Sequence, residues 1–98
     1  MASSELGIIV TKTEVEVVNK LGLHARPSAK LTQLAGKFRA EIWLSRGQRR
    51  VNAKSIMGVM MLAAGRGTKL VVEAEGEDAD EALAAIANLI ADRFGEAE

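Results

Sequence analysis

The stretch that decides the fold is Gly22-Leu23-His24-Ala25-Arg26-Pro27-Ser28-Ala29, which contains the only histidine and the only proline of the 98-residue chain. Residues 19–22, which lead into this stretch and include its first glycine, are typical of a turn that follows an upstream strand. Pro27 suits the first turn of a helix, where its missing N–H would have no partner. The stretch therefore predicts a strand-to-helix junction, with His24 at the helix N-cap or one residue to either side.

Hydrophobic periodicity extends this prediction in both directions. Residues 1–7 read as a loose start, and 8–10 as a short segment that either extends or packs. Strands are predicted over 13–19, 39–45, 49–52 and 68–75, and helices from the junction to about Lys37, over 55–64, and from Asp78 or Asp80 through Phe94. The expected inward residues are Leu31, Leu34, Ala35 and Phe38; Ala40, Ile42 and Leu44; Leu70, Val72 and Ala74; Leu83, Ile86, Ala87, Ile90 and Phe94.

The element order is thus β-α-β-β-α-β-α, with one apolar face on each element. Such elements bury their apolar faces as a two-layer α+β sandwich. A ferredoxin-like arrangement fits the first six elements equally well.

Composition narrows the function classes. A chain of 98 residues is expected to form a single domain, residues 1–98. Its content of 48% hydrophobic and 27% charged residues, with zero net charge, is typical of a soluble protein. The absence of cysteine fits the cytoplasm. The longest apolar run, Ile56 to Ala64, is too short to insert into a membrane. Balanced charges argue against a nucleic-acid partner.

The chemistry of the junction points to His24 as a phosphoryl acceptor. The backbone N–H groups of Ala25 and Arg26 would be free donors at a helix start, which attracts anions. The Arg26 guanidinium adds a planar, permanent cation suited to phosphate oxygens. The positive helix start and the Arg26 charge both favour the neutral form of the imidazole, which is the form that attacks phosphorus. A solvated surface histidine or a weak cap is the plainer interpretation from spacing alone.

Two other chemistries are disfavoured. One histidine, without cysteine and without a carboxylate within several residues, does not make a zinc site, so no metal is expected. A Ser-His hydrolase would need a nucleophile elbow and an acid partner, and neither is evident.

Two motifs carry a family resemblance. Leu21-Gly22-Leu23-His24-Ala25-Arg26-Pro27 resembles the active-site signature of the HPr family, the histidine phosphocarriers of the phosphoenolpyruvate-dependent phosphotransferase system. Asn52-Ala53-Lys54-Ser55-Ile56-Met57-Gly58-Val59-Met60 resembles the second signature of that family. The resemblance covers about residues 13–94 and extends to the nitrogen-regulatory paralogue NPr.

The resemblance implies an open-faced β-sandwich, in which three helices cover one face of a four-stranded antiparallel sheet. It implies that His24 accepts a phosphoryl group on Nδ1 from phospho-Enzyme I and passes it to an EIIA-type domain, with Arg26 as the phosphate partner. The protein would then be a stoichiometric carrier rather than an enzyme, without a cofactor. A monomer in the cytoplasm is the expected state.

Two further sites are suggested near the second motif. Ser55 is a preferred N-cap residue type, and in some HPr relatives the matching serine is phosphorylated by an ATP-dependent kinase. Ile56, Met57 and Met60 are expected to form an exposed docking patch beside His24, while Val59, Leu62 and Ala63 join one or two methionines in the core.

Two alternative functions are considered beside the carrier. A small ferredoxin-like regulatory or RNA-binding module would need aromatic residues on the sheet face or a basic stripe, and the chain has three aromatic residues in all, which argues against this function. An enzyme with a phosphohistidine intermediate would need a substrate pocket that this chain hardly provides.

Overall fold

The computed structural model describes residues 10–98, in which four strands form one antiparallel sheet and three helices cover one of its faces. The strands are β1 (Val10–Glu16), β2 (Glu41–Arg46), β3 (Arg49–Asn52) and β4 (Lys69–Glu75), and the helices are α1 (Ala25–Ala35), α2 (Ile56–Met61) and α3 (Ala79–Ala91). The predicted order β-α-β-β-α-β-α is confirmed. The predictions for residues 1–9 lie outside the described residues.

The strand order in the sheet is β1-β4-β2-β3. In this order β4 and β2 occupy the centre and β1 and β3 form the edges. A ferredoxin-like sheet instead has β1 and β3 at its centre. That alternative for the fold is therefore wrong.

Strand β1 lies three residues earlier than the predicted span of 13–19. Its ladder with β4 runs from Val10 opposite Glu75 to Glu16 opposite Lys69, where β4 itself begins. Val17 is buried, and its N–H donates to the Thr68 carbonyl at 2.9 Å. The Val17 carbonyl in turn accepts the Gly67 N–H at 2.7 Å, so Val17 still pairs with the segment before β4 and residues 18–19 lead into the junction.

The core lies between the helices and the inner face of the sheet. The predicted inward residues of β2 and β4 are confirmed, and α1 contributes Leu31 and Ala35. The stripe of α3 differs from the prediction, because Ala79 and Ala82 are buried with Ile86 and Ile90 while Leu83 and Ala87 are only half-buried. The fully buried large side chains include Phe94, Leu31, Ile42, Leu44, Leu62, Leu70, Ile86 and Ile90.

Helix α2 ends at Met61, three residues before the predicted end at Ala64. Ala63 takes a φ of 50°, which the helix cannot accommodate. The carbonyls freed at this end are taken up by two arginines of the β2–β3 hairpin. Arg46 donates to the Leu62 and Ala63 carbonyls at 2.9 and 2.8 Å, and Arg49 donates to the Met61 carbonyl at 2.8 Å. These arginines, one at the end of β2 and one at the start of β3, therefore fix the end of α2.

Helix α3 also ends before the predicted limit of Phe94. Arg93 and Phe94 have φ values of 57° and 56° within the 3₁₀ turn Arg93–Gly95. This turn redirects the chain and places the Phe94 ring in the core. Arg93 therefore lies beyond the last turn of α3, and its guanidinium donates to the Ala97 carbonyl at 2.9 Å.

The N-cap of α3 ties this helix to the start of β2. Asp78 accepts the Arg39 N–H on one carboxylate oxygen and the Ala40 N–H on the other, both at 2.8 Å. The hydrogen bond from Arg39, followed by that from Ala40, lowers the pKa of the Asp78 carboxyl below its ordinary value of 3.8. The charged form is therefore the one that stabilises the fold.

We expect Asp78→Asn to reduce the free energy of unfolding at neutral pH. The stabilisation by the Asp78 charge is present above its unfolded-state pKa and disappears as the pH falls through the lower folded-state pKa. The difference between wild type and variant should therefore shrink once the pH drops below about 3.8. Urea unfolding followed by Trp43 fluorescence measures it, with Glu77→Gln as the control for an exposed neighbouring acid. A difference that stays constant into acid would contradict the assignment.

Candidate functional site

The junction between β1 and α1 is built by backbone contacts with the segment that follows α2. The Leu23 N–H donates to the Ala64 carbonyl at 2.9 Å. Gly22 has a φ of +69°, and a Cβ there would collide with the Ala64 carbonyl oxygen and lie 2.7 Å from the Gly65 Cα. Glycine is therefore needed for both the backbone conformation and the close approach.

His24 is the N-cap residue of α1, as predicted. Its backbone is extended, with φ −77° and ψ −172°, and its carbonyl accepts the Ser28 N–H at 3.0 Å. Its side chain makes no capping hydrogen bond and is 37% exposed. The imidazole is therefore free for another role and accessible from solvent.

The first turn of α1 has the donors that the sequence predicts. Ala25 and Arg26 are exposed, and within residues 10–98 their N–H groups have no hydrogen-bond acceptor. The Arg26 side chain lines the same open cleft as His24. An anion bound to the imidazole would meet these donors, the positive end of the helix dipole and a guanidinium.

The same cleft contains residues that the sequence analysis did not predict. Residues 93–98, here called the return segment, fold back along the start of α1. The cleft is lined by Lys20, Leu21, His24, Arg26, Lys30, Gly95, Glu96, Ala97 and Glu98. The Glu96 Oε2 lies 3.2 Å from the His24 Nε2. His24 therefore has a carboxylate partner, although none lies near it in the sequence.

No local pattern could have indicated these residues, because 72 positions separate His24 from Glu96. Asn19 is fully buried and donates through Nδ2 to the Gly22 carbonyl at 2.8 Å and to Glu96 Oε1 at 3.1 Å. From the sequence, Asn19 was expected only as a turn-forming residue, and its contact with Glu96 was not indicated. Lys20 pairs with Glu98 at 3.3 Å, and Lys30 donates to the Phe94 carbonyl at 2.6 Å.

Ser55 is the N-cap of α2, as its residue type predicts. Its Oγ accepts the Gly58 N–H at 3.1 Å, and the residue is exposed. This hydrogen bond explains a serine here by helix stability alone. Phosphorylation of Ser55 stays a prediction.

Helix α2 presents an apolar surface, here called the α2 patch, which consists of Ile56, Met57, Met60 and Met61. These side chains are exposed, from 39% for Ile56 to 69% for Met57. The expectation that one or two methionines join the core is wrong, and Ala63 is exposed as well. Val59 is the buried residue of this six-residue helix, and Leu62 and Ala64, which follow the helix, are buried as well.

Within residues 10–98, no group of three or more histidine, cysteine or acidic side chains is placed to hold a metal ion. None of the helices in that part of the chain has the length and apolar character needed to cross a membrane.

Comparison with known proteins gives consistent matches. The family model described as "PTS HPr component phosphorylation site" matches residues 11–92. Phosphocarrier protein HPr of Cupriavidus necator is 59% identical over 85 residues, which cover 87% of this chain and 96% of that protein. Phosphocarrier protein NPr of Shewanella violacea is 44% identical over 90 residues, covering 90% and 99%. A crystal structure of HPr from Thermoanaerobacter tengcongensis superposes with a TM-score of 0.87 at 44% identity, covering 90% and 99%.

The four-stranded antiparallel sheet under three helices is shared with the solved HPr structure, and the relatives matched in sequence are phosphocarrier proteins. The chain belongs to the HPr family. The predicted family and fold are thereby confirmed.

Proposed function

We propose that this protein is a stoichiometric phosphocarrier in which His24 takes a phosphoryl group from phospho-Enzyme I and passes it to an EIIA-type domain. The observation that carries the proposal is the position of His24. Its half-exposed imidazole stands at the N-cap of α1, beside two free backbone donors and Arg26. The names of the HPr and NPr relatives support the phosphocarrier role.

The transfer needs a nucleophilic nitrogen and a place for the charge that moves. The lone pair of His24 Nδ1 attacks phosphorus, the bond from phosphorus to the donor breaks, and its electron pair returns to the donor. The phosphoryl oxygens are then held by the N–H groups of Ala25 and Arg26 and by the guanidinium of Arg26. Delivery to the next acceptor reverses these steps, so the protein is unchanged after each cycle and needs no cofactor.

A carrier must dock on more than one partner, and the α2 patch suits this task. Methionine side chains are flexible and adapt to differently shaped surfaces. Ile56, Met57 and Met60 would contact Enzyme I and the EIIA-type domain in turn. A monomer in the cytoplasm, serving sugar uptake or a regulatory phosphorelay, fits this exchange of partners.

Ser55 is proposed as a regulatory site for a serine kinase. A phosphate at the N-cap of α2 would not unfold the helix, because helix starts tolerate negative charge. It would instead place a dianion beside the α2 patch, where it would repel an acidic partner surface.

The proposal is tested by incubating the protein with phosphoenolpyruvate and Enzyme I and measuring the intact mass. We expect one added phosphoryl group per chain, lost in acid and retained in base, as a phosphohistidine requires. A protein that stays unlabelled beside an active reference carrier would overturn the proposal.

We expect Arg26→Ala to slow phosphoryl uptake by at least about tenfold, because a charged hydrogen bond to the phosphoryl group is lost. The fold should be unaffected, since the side chain is exposed. Arg26→Lys keeps the positive charge but loses the planar guanidinium, so its rate of uptake should lie between those of wild type and Arg26→Ala. Quench-flow measurement of uptake gives the rates, and equal rates for all three proteins would remove Arg26 from the phosphate site.

A further inference from the structure

The return segment brings a carboxylate to the ring nitrogen that the proposed transfer does not use. Glu96 Oε2 lies 3.2 Å from His24 Nε2, with the two side chains 21% and 37% exposed. Glu96 lies beyond residues 11–92, which the family model matches. Within residues 10–98, the Nδ1 of the same ring has no hydrogen-bond partner.

Contacts on both sides hold Glu96 in place. The fully buried Asn19 donates to its other carboxylate oxygen at 3.1 Å and to the Gly22 carbonyl at 2.8 Å. Before Glu96, the Phe94 ring is buried in the core, and the Phe94 backbone carbonyl accepts a hydrogen bond from the Lys30 ammonium. After it, the Lys20 N–H donates to the Glu98 carbonyl at 2.6 Å. The carboxylate is therefore anchored independently of the imidazole.

This geometry fixes the proton of the neutral ring. A carboxylate only accepts hydrogen bonds, so the ring nitrogen beside it must carry the hydrogen. With Nε2 protonated, a neutral imidazole has its lone pair on Nδ1. The contact therefore selects the tautomer in which Nδ1 is the nucleophile.

We propose that Glu96 is a positioning residue that selects the Nδ1-nucleophilic tautomer of His24 and directs phosphoryl transfer to that nitrogen. The inference rests on the proposed carrier function and adds a residue to it. As Nδ1 bonds to phosphorus, positive charge develops in the ring, and the carboxylate on Nε2–H stabilises this charge. The Nε2 proton stays in place throughout, so the step needs no proton acceptor.

The same contact disfavours transfer to Nε2. A phosphoryl group on Nε2 would displace the Nε2–H···carboxylate hydrogen bond and place a dianion against Glu96. A phosphoryl group on Nδ1 lies on the other side of the ring and leaves the bond intact. Glu96 thus acts on the choice of nitrogen as well as on the rate.

Glu96→Gln gives a sharp test, because Asn19 constrains how the new amide can turn. The Asn19 Nδ2 needs an acceptor and takes the glutamine oxygen, which turns the glutamine NH₂ towards His24 Nε2. Nε2 must then accept, and the ring proton moves to Nδ1, where it blocks the attack. Glu98→Gln is the matched control, since it removes the same charge from the same segment without touching the ring.

Nitrogen-15 NMR of His24 at alkaline pH reports the tautomer in the unphosphorylated protein, and quench-flow with Enzyme I reports the rate of uptake. We expect Nε2–H in wild type and Glu98→Gln, but Nδ1–H in Glu96→Gln, whose uptake slows by at least about tenfold. Glu96→Asp, which restores an acceptor-only side chain, should recover part of both readouts. Trp43 fluorescence verifies that each variant is folded.

An unchanged tautomer or an unchanged rate in Glu96→Gln would overturn the inference. An equal loss in Glu98→Gln would also overturn it, because the effect would then come from net charge. A wild-type protein that shows Nε2–H but takes no phosphoryl group would overturn the carrier function instead. The two failures are therefore distinguishable.

Discussion

Replacing His24 with alanine is expected to abolish labelling by phosphoenolpyruvate and Enzyme I completely. The physical reason is that the imidazole would be the acceptor itself, and the chain has no second histidine. The fold should persist, because the half-exposed side chain caps no backbone group and, within residues 10–98, forms a hydrogen bond only with Glu96. We expect the free energy of unfolding to change by no more than about 1 kcal/mol.

Intact mass after labelling and urea unfolding followed by Trp43 fluorescence check the two halves of this prediction. Labelling at wild-type stoichiometry in a folded His24→Ala protein would contradict the assignment. Acid treatment of the wild-type product is the internal control, since a phosphoserine at Ser55 would survive it and a phosphohistidine would not.

Replacing Gly22 with alanine is expected to give the largest loss of stability at the junction. Two costs combine there: a left-handed backbone for a residue with a Cβ, and collision of that Cβ with the backbone at Ala64 and Gly65. Gly47→Ala is the matched control, because Gly47 has a φ of +59° and, its chain neighbours apart, no atom of residues 10–98 lies within 4 Å of its Cβ position. The control should lose about 1–2 kcal/mol of unfolding free energy.

Gly22→Ala should lose about 1–3 kcal/mol more than this control, since the surrounding backbone must move. Because the displaced backbone includes the junction that carries His24, the rate of phosphoryl uptake should also fall. Urea unfolding of both variants measures the difference. Equal losses of unfolding free energy in the two variants would show that the close approach of Gly22 to Ala64 does not contribute to stability.

The local elements of this fold could be read from the sequence because their signals are local. Alternation marks β2 and β4 clearly, and Pro27 and Ser55 indicate where α1 and α2 begin. The ends of α2 and α3 could not be read, since Arg46 and Arg49 reach α2 from another element. The φ values at Ala63 and Arg93 likewise depend on tertiary packing, which no window of sequence contains.

The order of the strands in the sheet could not be predicted from the hydrophobic pattern. The apolar faces of the strands are compatible with β1 in the centre or at the edge, because both arrangements bury the same residues. Only the ladder itself, with β1 on one side of β4 and β2 on the other, decides between them. The resemblance in the two motifs implies a four-stranded antiparallel sheet under three helices, which leaves the strand order open.

The residues of the candidate site likewise include some that the sequence could predict and one that it could not. His24, Ala25 and Arg26 are consecutive, so one helix start brings their groups together and the sequence could predict them. Glu96 reaches the ring only because the 3₁₀ turn after α3 returns the chain to the start of α1. This partner also alters the electrostatics expected from sequence, since its negative charge partly offsets the helix start and Arg26.

The most direct test of the account is to locate the phosphorus atom in the labelled wild-type protein. Phosphorus–nitrogen couplings in an ¹⁵N-histidine sample identify the nitrogen that carries the phosphoryl group. The account predicts phosphorus bonded to Nδ1 of His24, with the hydrogen retained on Nε2 beside Glu96. Phosphorus on Nε2, or on any other residue, would contradict it.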